Sequence, residues 1–538
     1  MSSLWILFSS LLLIAASYFT YANYIRSKLI TNIHRLTPAR TKEDGIDYVV
    51  TNRYVLFGHH FASIAGAGPI VGPIIAIKYG WLPCILWIIL GSIFIGGVHD
   101  FASIVISAKN EGKSIGTIIE KDLGKKGKFF FLVFSWFTLL LVIAVFANLV
   151  AQTFVGRDGG PVATASLMFM AVAVIFGLVN RLKLASLWVS TVGGVILIFA
   201  CMWIGVKYPI PVDVFGSGTE TVWKFFLLAY VAIASIIPVW ILLQPRDFLN
   251  SFLLFALISL ALVGLVFYNP EMKIRAFNGF VLDREPLFPI LFITIACGAV
   301  SGFHSLVASG TTSKQIESFK DAKFIGYGGM LLEAVLAVIA LIAAGYMTGS
   351  SGGSAVEIFA NGVGNFLTKV GIPEETGIVF ASLAVASFLL TTLDTATRLA
   401  RYAFQEFFEK TGSSEQPVLA KNRYIATLIT IIVSAVLIFS GGVNEMWPIF
   451  GSANQLLACL ALLAVTLWMS RLSRAKWFLI WPFIFMLVVT LSSLVILLVN
   501  HFKTGNYILS VISMFLFIVA VLLVINSCRI MLKQRKTP

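Results

Sequence analysis

Seven titratable side chains interrupt stretches of this chain that are otherwise apolar: His59, His60, His99, Asp100, His304, Glu333 and Asp394. Histidine changes charge near neutral pH, and a carboxyl group buried without a counter-charge can carry a proton. A charge inside hydrocarbon-like sequence is costly, so each of these residues is a functional candidate. Glu333 lies within GGMLLEAVLAVIA and has no basic residue in its own helical turn. It is the first choice for a proton-coupling group, with Asp394, Asp100, His99, His59 and His60 as further candidates. Plainer readings stand beside these. His59 and His60 could sit at a membrane interface, and Glu333 could be a satisfied structural carboxylate. Asp394 and Arg398 are four residues apart and could form an ion pair along one helix face.

A second set is uncharged. The stretch ACGAVSGFHSLVASGTTSKQ, Ala296 to Gln315, carries Ser301, Ser305, Ser309, Thr311 and Thr312 around His304. Hydroxyls are hard oxygen ligands suited to an alkali cation or a polar substrate. Ser301, His304, Ser309, Thr311 and Thr312 are therefore a possible sodium site, although Ser and Thr also bond back to their own helix. Asn454 and Gln455, in FGSANQ, are expected to hydrogen-bond between helices. The backbone is a third source of chemistry. In FGHHFASIAGAGPIVGPIIA, Phe57 to Ala76, the glycines and Pro69 and Pro73 oppose a continuous helix. Non-helical backbone at membrane depth survives only where it is buried in protein or lines a polar cavity. An unwound stretch is expected at Gly66, Ala67, Gly68 and Pro69, with Ser63 beside it. The alternative is a glycine face for close packing, as in Gly68-x-x-x-Gly72. The stretch AIASIIPVWILLQP, Ala232 to Pro245, places Pro238 after Ser235, where it should kink or break a helix. Freed N–H groups at such breaks, with Arg398, could bind an anionic substrate.

The elements that must position these groups follow from composition. Hydrophobic residues make up 58% of the 538 positions and charged residues 12%. Soluble domains carry about 25% charged residues, so the bilayer is the solvent. A spanning helix needs about 20 apolar residues, and about fifteen such segments can be read along the chain. If the N-terminus is outside and each segment crosses once, the inner loops hold thirty Lys and Arg and the outer loops nine. This is the bias expected of cytoplasmic loops. It includes Arg529, Lys533, Arg535 and Lys536 in the tail, and the net charge of +14 needs no nucleic-acid partner. The run from Leu4 to Tyr21 reads as a retained helix, because it lacks a basic start and a cleavage site. The cysteines Cys84, Cys201, Cys297, Cys459 and Cys528 are scattered, with neither disulfide nor zinc spacing. Polar stretches lie near 23–53, 269–286, 349–376, with its flexible Gly349–Gly353, and 401–423. Segments two and seven, each carrying prolines, run in opposite directions. Paired breaks of this kind point to inverted repeats with a substrate site between them. The expected organisation is an extra helix and basic loop over 1–56, a first repeat over 57–206 and a second over 222–402. Accessory helices at 424–527 and a basic tail at 528–538 would follow. No catalytic or metal-ligating motif is present; H-E-x-x-H, the P-loop pattern and G-x-S-x-G are all missing.

Five stretches carry a family resemblance: HHFASIAGAGPIVGP (His59–Pro73), GGVHDFASI (Gly96–Ile104), SGFHSLVASGTTSKQI (Ser301–Ile316), TTLDTATRLARY (Thr391–Tyr402) and WPIFGSANQLLA (Trp447–Ala458). In this order, across about 50–460, the chain resembles the carbon starvation protein A family of bacterial transporters, and is shorter than many members. The resemblance implies a multi-pass inner-membrane protein that imports pyruvate or short peptides under nutrient limitation. It also implies similarity to the amino acid–polyamine–organocation transporters, whose core is a five-plus-five inverted repeat. The expectation is an all-α secondary transporter, with no cofactor beyond a proton gradient or, alternatively, sodium. Pyruvate by proton symport is the leading reading and peptide uptake the next. A membrane nutrient sensor and an intramembrane enzyme are the alternatives from other classes.

Overall fold

The computed structural model describes residues 2–30, 34–45, 48–238, 241–282, 285–347, 353–409, 416–471 and 477–534. Gly349–Gly352 of the expected flexible loop, and Arg535 and Lys536 of the tail, lie outside them. The protein is an all-α polytopic membrane protein. In chain order its principal helices are α1 (Ser3–Phe19), α2 (Arg53–Ile64), α3 (Gly68–Ala76), α4 (Trp81–Gly91), α5 (Gly97–Lys109), α6 (Ile115–Val155), α7 (Gly159–Arg181), α8 (Leu187–Lys207), α9 (Thr219–Ile236) and α10 (Leu243–Tyr268). There follow α11 (Leu287–Thr294), α12 (Phe303–Val307), α13 (Gly328–Met347), α14 (Ala355–Thr368), α15 (Glu374–Phe408), α16 (Arg423–Ile438), α17 (Val443–Arg471), α18 (Trp477–Lys503) and α19 (Tyr507–Gln534).

Among the described residues, twelve helical stretches are long and apolar enough to cross a bilayer, or thirteen with the bent pair α2–α3. The sequence suggested fifteen. The two others are helical but fall short of the length: α16 has 16 residues, and the ninth segment, 287–309, is divided into α11 and α12. Exposed side chains such as Trp5, Leu12, Trp188, Ile196 and Trp477 ring the bundle as a hydrocarbon-facing belt. At its centre α17 is buried along its length.

The first broken span behaves as its residues require. α2 ends at Ile64, α3 begins at Gly68, and the two are bent by 43°. Pro69 falls in the first turn of α3, where a missing N–H costs least. The unwound residues are Ala65, Gly66 and Ala67, slightly before the expected Gly66–Pro69.

The second break is not where it was expected. Pro238 cannot donate to the Ala234 carbonyl, and the residue before a proline is pushed towards extended backbone. Ile237 accordingly sits at φ −67°, ψ 154°, and α9 simply stops at Ile236. Among the described residues no second half-helix continues the span; α10 begins at Leu243. Residues 244–248 form the first turns of α10. The second unwound stretch lies instead in the ninth segment, at residues 295–302 between α11 and α12. Its marks are Gly298 and Gly302, without a proline. The expected polar loop at 349–376 also differs. Ser354 and Glu357 form a capping box that starts α14, whose Val356, Phe359, Val363 and Phe366 are buried.

Candidate functional site

The second unwound stretch crosses the first turns of α3, directly after the first unwound stretch. A Cβ added at Gly68 would lie 2.4 Å from Cys297 Cβ, and one at Gly72 would lie 2.7 Å from the Thr294 carbonyl oxygen. Only glycine permits this approach. The carbonyls freed where α11 ends are taken by side chains from other helices. Trp87 Nε1 donates to Phe292 O and Ile295 O, each at 3.1 Å, and Trp447 Nε1 donates to Thr294 O at 3.1 Å. Gln455 Nε2 reaches Phe292 O at 2.6 Å. Asn454 caps α12 from outside: its Oδ1 accepts from Phe303 N at 2.9 Å, and its Nδ2 donates to Ser301 Oγ at 3.1 Å. The interhelical role expected for Asn454 and Gln455 is thus observed. Every polar group at such depth needs a partner of this kind.

Beside the crossing lies a buried ionisable array. His99 Nδ1 and His304 Nδ1 each approach one oxygen of Asp100 at 2.7 Å. His304 Nε2 faces Glu333 Oε2 at 3.3 Å. All four side chains are buried completely. Among the described residues no Lys or Arg pairs with either carboxylate. The tautomers follow from the partners. Asp100 as a carboxylate accepts from both Nδ1 atoms, so His304 presents to Glu333 either a bare Nε2 or a second N–H. In the first case Glu333 must be protonated to meet it, and in the second His304 is an imidazolium. Among the described residues neither His304 Nε2 nor either Glu333 oxygen has a hydrogen-bond partner, so one added proton would join the pair. His60 stands alongside, its Nδ1 2.8 Å from Thr312 Oγ1. Three π-helical turns frame the array: Ser92–Gly96 before Asp100, Ala308–Thr312 after His304, and Lys323–Tyr327 before Glu333. Each inserts an extra residue and re-aims the side chains beyond it, a feature frequent at functional sites.

A second array lies across α2. His59 and His60 are neighbours on that helix and point about 100° apart. His59 Nδ1 is 3.5 Å from Asp247 Oδ2, and Ser63 Oγ is 3.4 Å from the same oxygen. Arg246 Nη1 pairs with Asp394 Oδ2 at 2.5 Å, and Tyr230 Oη donates to that oxygen at 2.7 Å. Asn250 Nδ2 donates to Thr391 Oγ1 and to Ser387 O. The unwound stretch of the first broken span touches this group, since a Cβ added at Gly66 would lie 2.7 Å from Thr392 Oγ1.

The structure therefore sorts the candidates. Asp100, His99, His304, Glu333, His60 and Thr312 come together at one array, and Asp394, His59 and Ser63 at the other. The Asp394–Arg398 helix pair does not form. Arg398 Nη2 instead donates to Ala234 O at 2.7 Å, the carbonyl that Pro238 leaves free, and to Ile237 O at 2.6 Å, at the helix end. Ser235 bonds Thr427 at 3.4 Å, and Pro238 is exposed. These residues finish the end of α9 and do not face the unwound stretches. In the expected hydroxyl site, Ser309 and Thr311 donate to the carbonyls of Ser305 and Val307 in their own helix. Sequence reasoning missed Arg246, Asp247, Asn250, Tyr230 and Thr392. The signal for the first three was the spacing i, i+1, i+4 directly after Pro245, which places them on the first turns of a helix.

A cavity of about 410 Å³ opens at the far end of α6, lined by Thr153, Arg157, Asp158, Glu357, Asn361 and Ser382. Burial pushes the Asp158 carboxyl up, opposed by Arg157 and reinforced by Glu375 and Glu357. Thr153 and Ser382 share α6 and α15 with Phe146 and Thr392, the two residues that pack on Gly66.

Comparison with known proteins adds the family. The family model described as carbon starvation protein CstA matches residues 2–354 and 347–493. The pyruvate/proton symporter BtsT of Escherichia coli is 31% identical, over 91% of this chain and 81% of that protein. The peptide transporter CstA of E. coli is 32% identical over 91% and 80%, and that of Bacillus subtilis 32% over 86% and 84%.

Proposed function

Since the chain belongs to the carbon starvation protein CstA family of membrane transporters, we propose that it imports a small nutrient, pyruvate first, by proton symport across the bacterial inner membrane under nutrient limitation. The observation that carries this reading is the buried array in which His304 stands between Asp100, at 2.7 Å, and Glu333, at 3.3 Å. An array with no Lys or Arg partner among the described residues has histidine as its basic group, so one proton changes its charge. The two broken spans run in opposite directions in the charge-based topology, N-terminus outside and C-terminus inside. They do not hold matching positions in the repeats over 57–206 and 222–402, so the place of the substrate rests on the crossing itself, where irregular backbone at membrane depth lines a polar site. Movement of one repeat against the other would expose the arrays to each side in turn. The cavity near Asp158 lies on the outer side in this orientation, where substrate would arrive.

The test is uptake of labelled pyruvate into proteoliposomes under an inward proton gradient without sodium. Accumulation abolished by a protonophore is expected. Glu333→Gln is expected to lose accumulation and to keep pyruvate–pyruvate exchange, which moves no net proton. Full gradient-driven accumulation by that variant would overturn the coupling role. Uptake of di- or tripeptides in place of pyruvate would move the substrate to the other class named among the relatives.

A further inference from the structure

The array around Arg246 contains polar atoms that the protein itself does not satisfy. Arg246 is 1% exposed, yet its Nε and Nη2 have no hydrogen-bond partner. The same is true of Asn250 Oδ1, Ser387 Oγ, Thr392 Oγ1 and one oxygen each of Asp247 and Asp394. The structure partners the great majority of its buried polar groups, including every carbonyl discussed above at the crossing. Seven orphaned atoms on two helices, α10 and α15, next to the unwound residues of the first broken span, are a concentration that packing alone does not explain.

The identity of the orphaned atoms indicates the ligand. Arg246 uses Nη1 for Asp394 and Tyr230, so that corner of the guanidinium is held in place. The edge left over, Nε with Nη2, is the one that meets a carboxylate through two parallel bonds. Asp247 Oδ1 lies 3.8 Å from Nη2, too far to satisfy it. Thr392 Oγ1 and Ser387 Oγ add hydroxyl donors, and Gly66 leaves room against Thr392 that any side chain would fill. Resting on the transport reading above, we infer that the Nε–Nη2 edge of Arg246 is the anchor for the substrate's carboxylate, with Thr392 and Ser387 as secondary contacts. Arg398, the cation that sequence reasoning favoured, is occupied by the α9 carbonyls. A carboxylate is common to pyruvate and to short peptides, so the inference holds for either substrate.

The experiment is equilibrium binding of pyruvate to the purified protein in nanodiscs, with no gradient, followed by uptake kinetics. Thr392→Val removes an atom that makes no bond in the free protein. A structural role predicts no change; the anchor predicts an affinity and a KM weakened about tenfold with an unchanged unfolding midpoint. Arg246→Lys keeps the charge opposite Asp394 and loses the two-point edge, and is expected to weaken binding more than Thr392→Val does. Methyl pyruvate, which is neutral, is expected to compete at least tenfold more weakly than pyruvate. Wild-type affinity in both variants, or equal competition by the ester, would overturn the inference and leave ordered water as the partner of these atoms. If pyruvate does not bind and a dipeptide does, the same variants read on the dipeptide decide. Binding that depends on Arg246 in a protein that fails proton-driven accumulation would sink the proposed coupling and leave the anchor standing.

Discussion

Replacing Gly68 by alanine tests the crossing on which the site depends. The new Cβ would lie 2.4 Å from Cys297 Cβ and 2.5 Å from its Sγ. Non-bonded carbons rest at about 3.5–4.0 Å, so the start of α3 and the second unwound stretch must part by roughly 1 Å. Overpacking of this kind costs about 1–3 kcal/mol. Since about 1.4 kcal/mol is a factor of ten in an equilibrium, a transport state that needs the stretches in contact loses about one to two decades of population. The assay is thermal unfolding in detergent together with proteoliposome uptake. The second substitution supplies the control. Cys297→Gly removes the opposing Cβ and should recover about half of the loss in Gly68→Ala, less the roughly 0.5–1 kcal/mol cost of a new glycine. Cys297→Ser keeps the Cβ and should recover nothing. Normal stability and uptake in Gly68→Ala alone, or equal rescue by serine and glycine, would refute the crossing.

Two further outcomes are expected. A double-mutant cycle of Asp394→Asn with Arg246→Gln should show a coupling above about 1 kcal/mol, and the cycle with Arg398→Gln a smaller one; the reverse order would restore the helix ion pair read from sequence. Asp158 binds its proton more tightly in the folded protein, because burial disfavours its charge. The folded state then holds more protons than the unfolded chain at pH values just above the ordinary Asp range near ~4. Stability therefore falls as pH rises through that window and returns on acidification. Asp158→Asn should flatten this part of the unfolding midpoint against pH, and an unaltered slope would show that Asp158 does not titrate in the cavity as described.

Much of the site was legible residue by residue. Pro69 and the neighbouring glycines announce the first break, since a missing N–H and weak helix propensity act within one turn. Asp100, His304 and Glu333 stand out because charge is rare in apolar sequence. The second break was illegible for the same reason that the first was clear. The stretch from Cys297 to Gly302 has no proline, and its irregular backbone depends on Trp87, Trp447, Asn454 and Gln455 arriving from other helices. Pro238 misled in the opposite sense, because a proline marks where a helix cannot continue and says nothing about whether the span continues after it.

The sequence by itself determined the solvent, the helical class, the positions of the strongest breakers and which titratable groups are held in apolar surroundings. These are properties of composition and of neighbours within a few residues. The tertiary structure alone decided the partners. His304 and Asp100 are 204 positions apart, and Tyr230 and Asp394 are 164 apart. Arg398 lies one helical turn from Asp394 and bonds elsewhere, because carbonyls left open by another helix and a guanidinium from a third offer each of them a better match. Such choices depend on where helices cross, and a crossing is set by the packing of whole faces, which no local window of sequence contains.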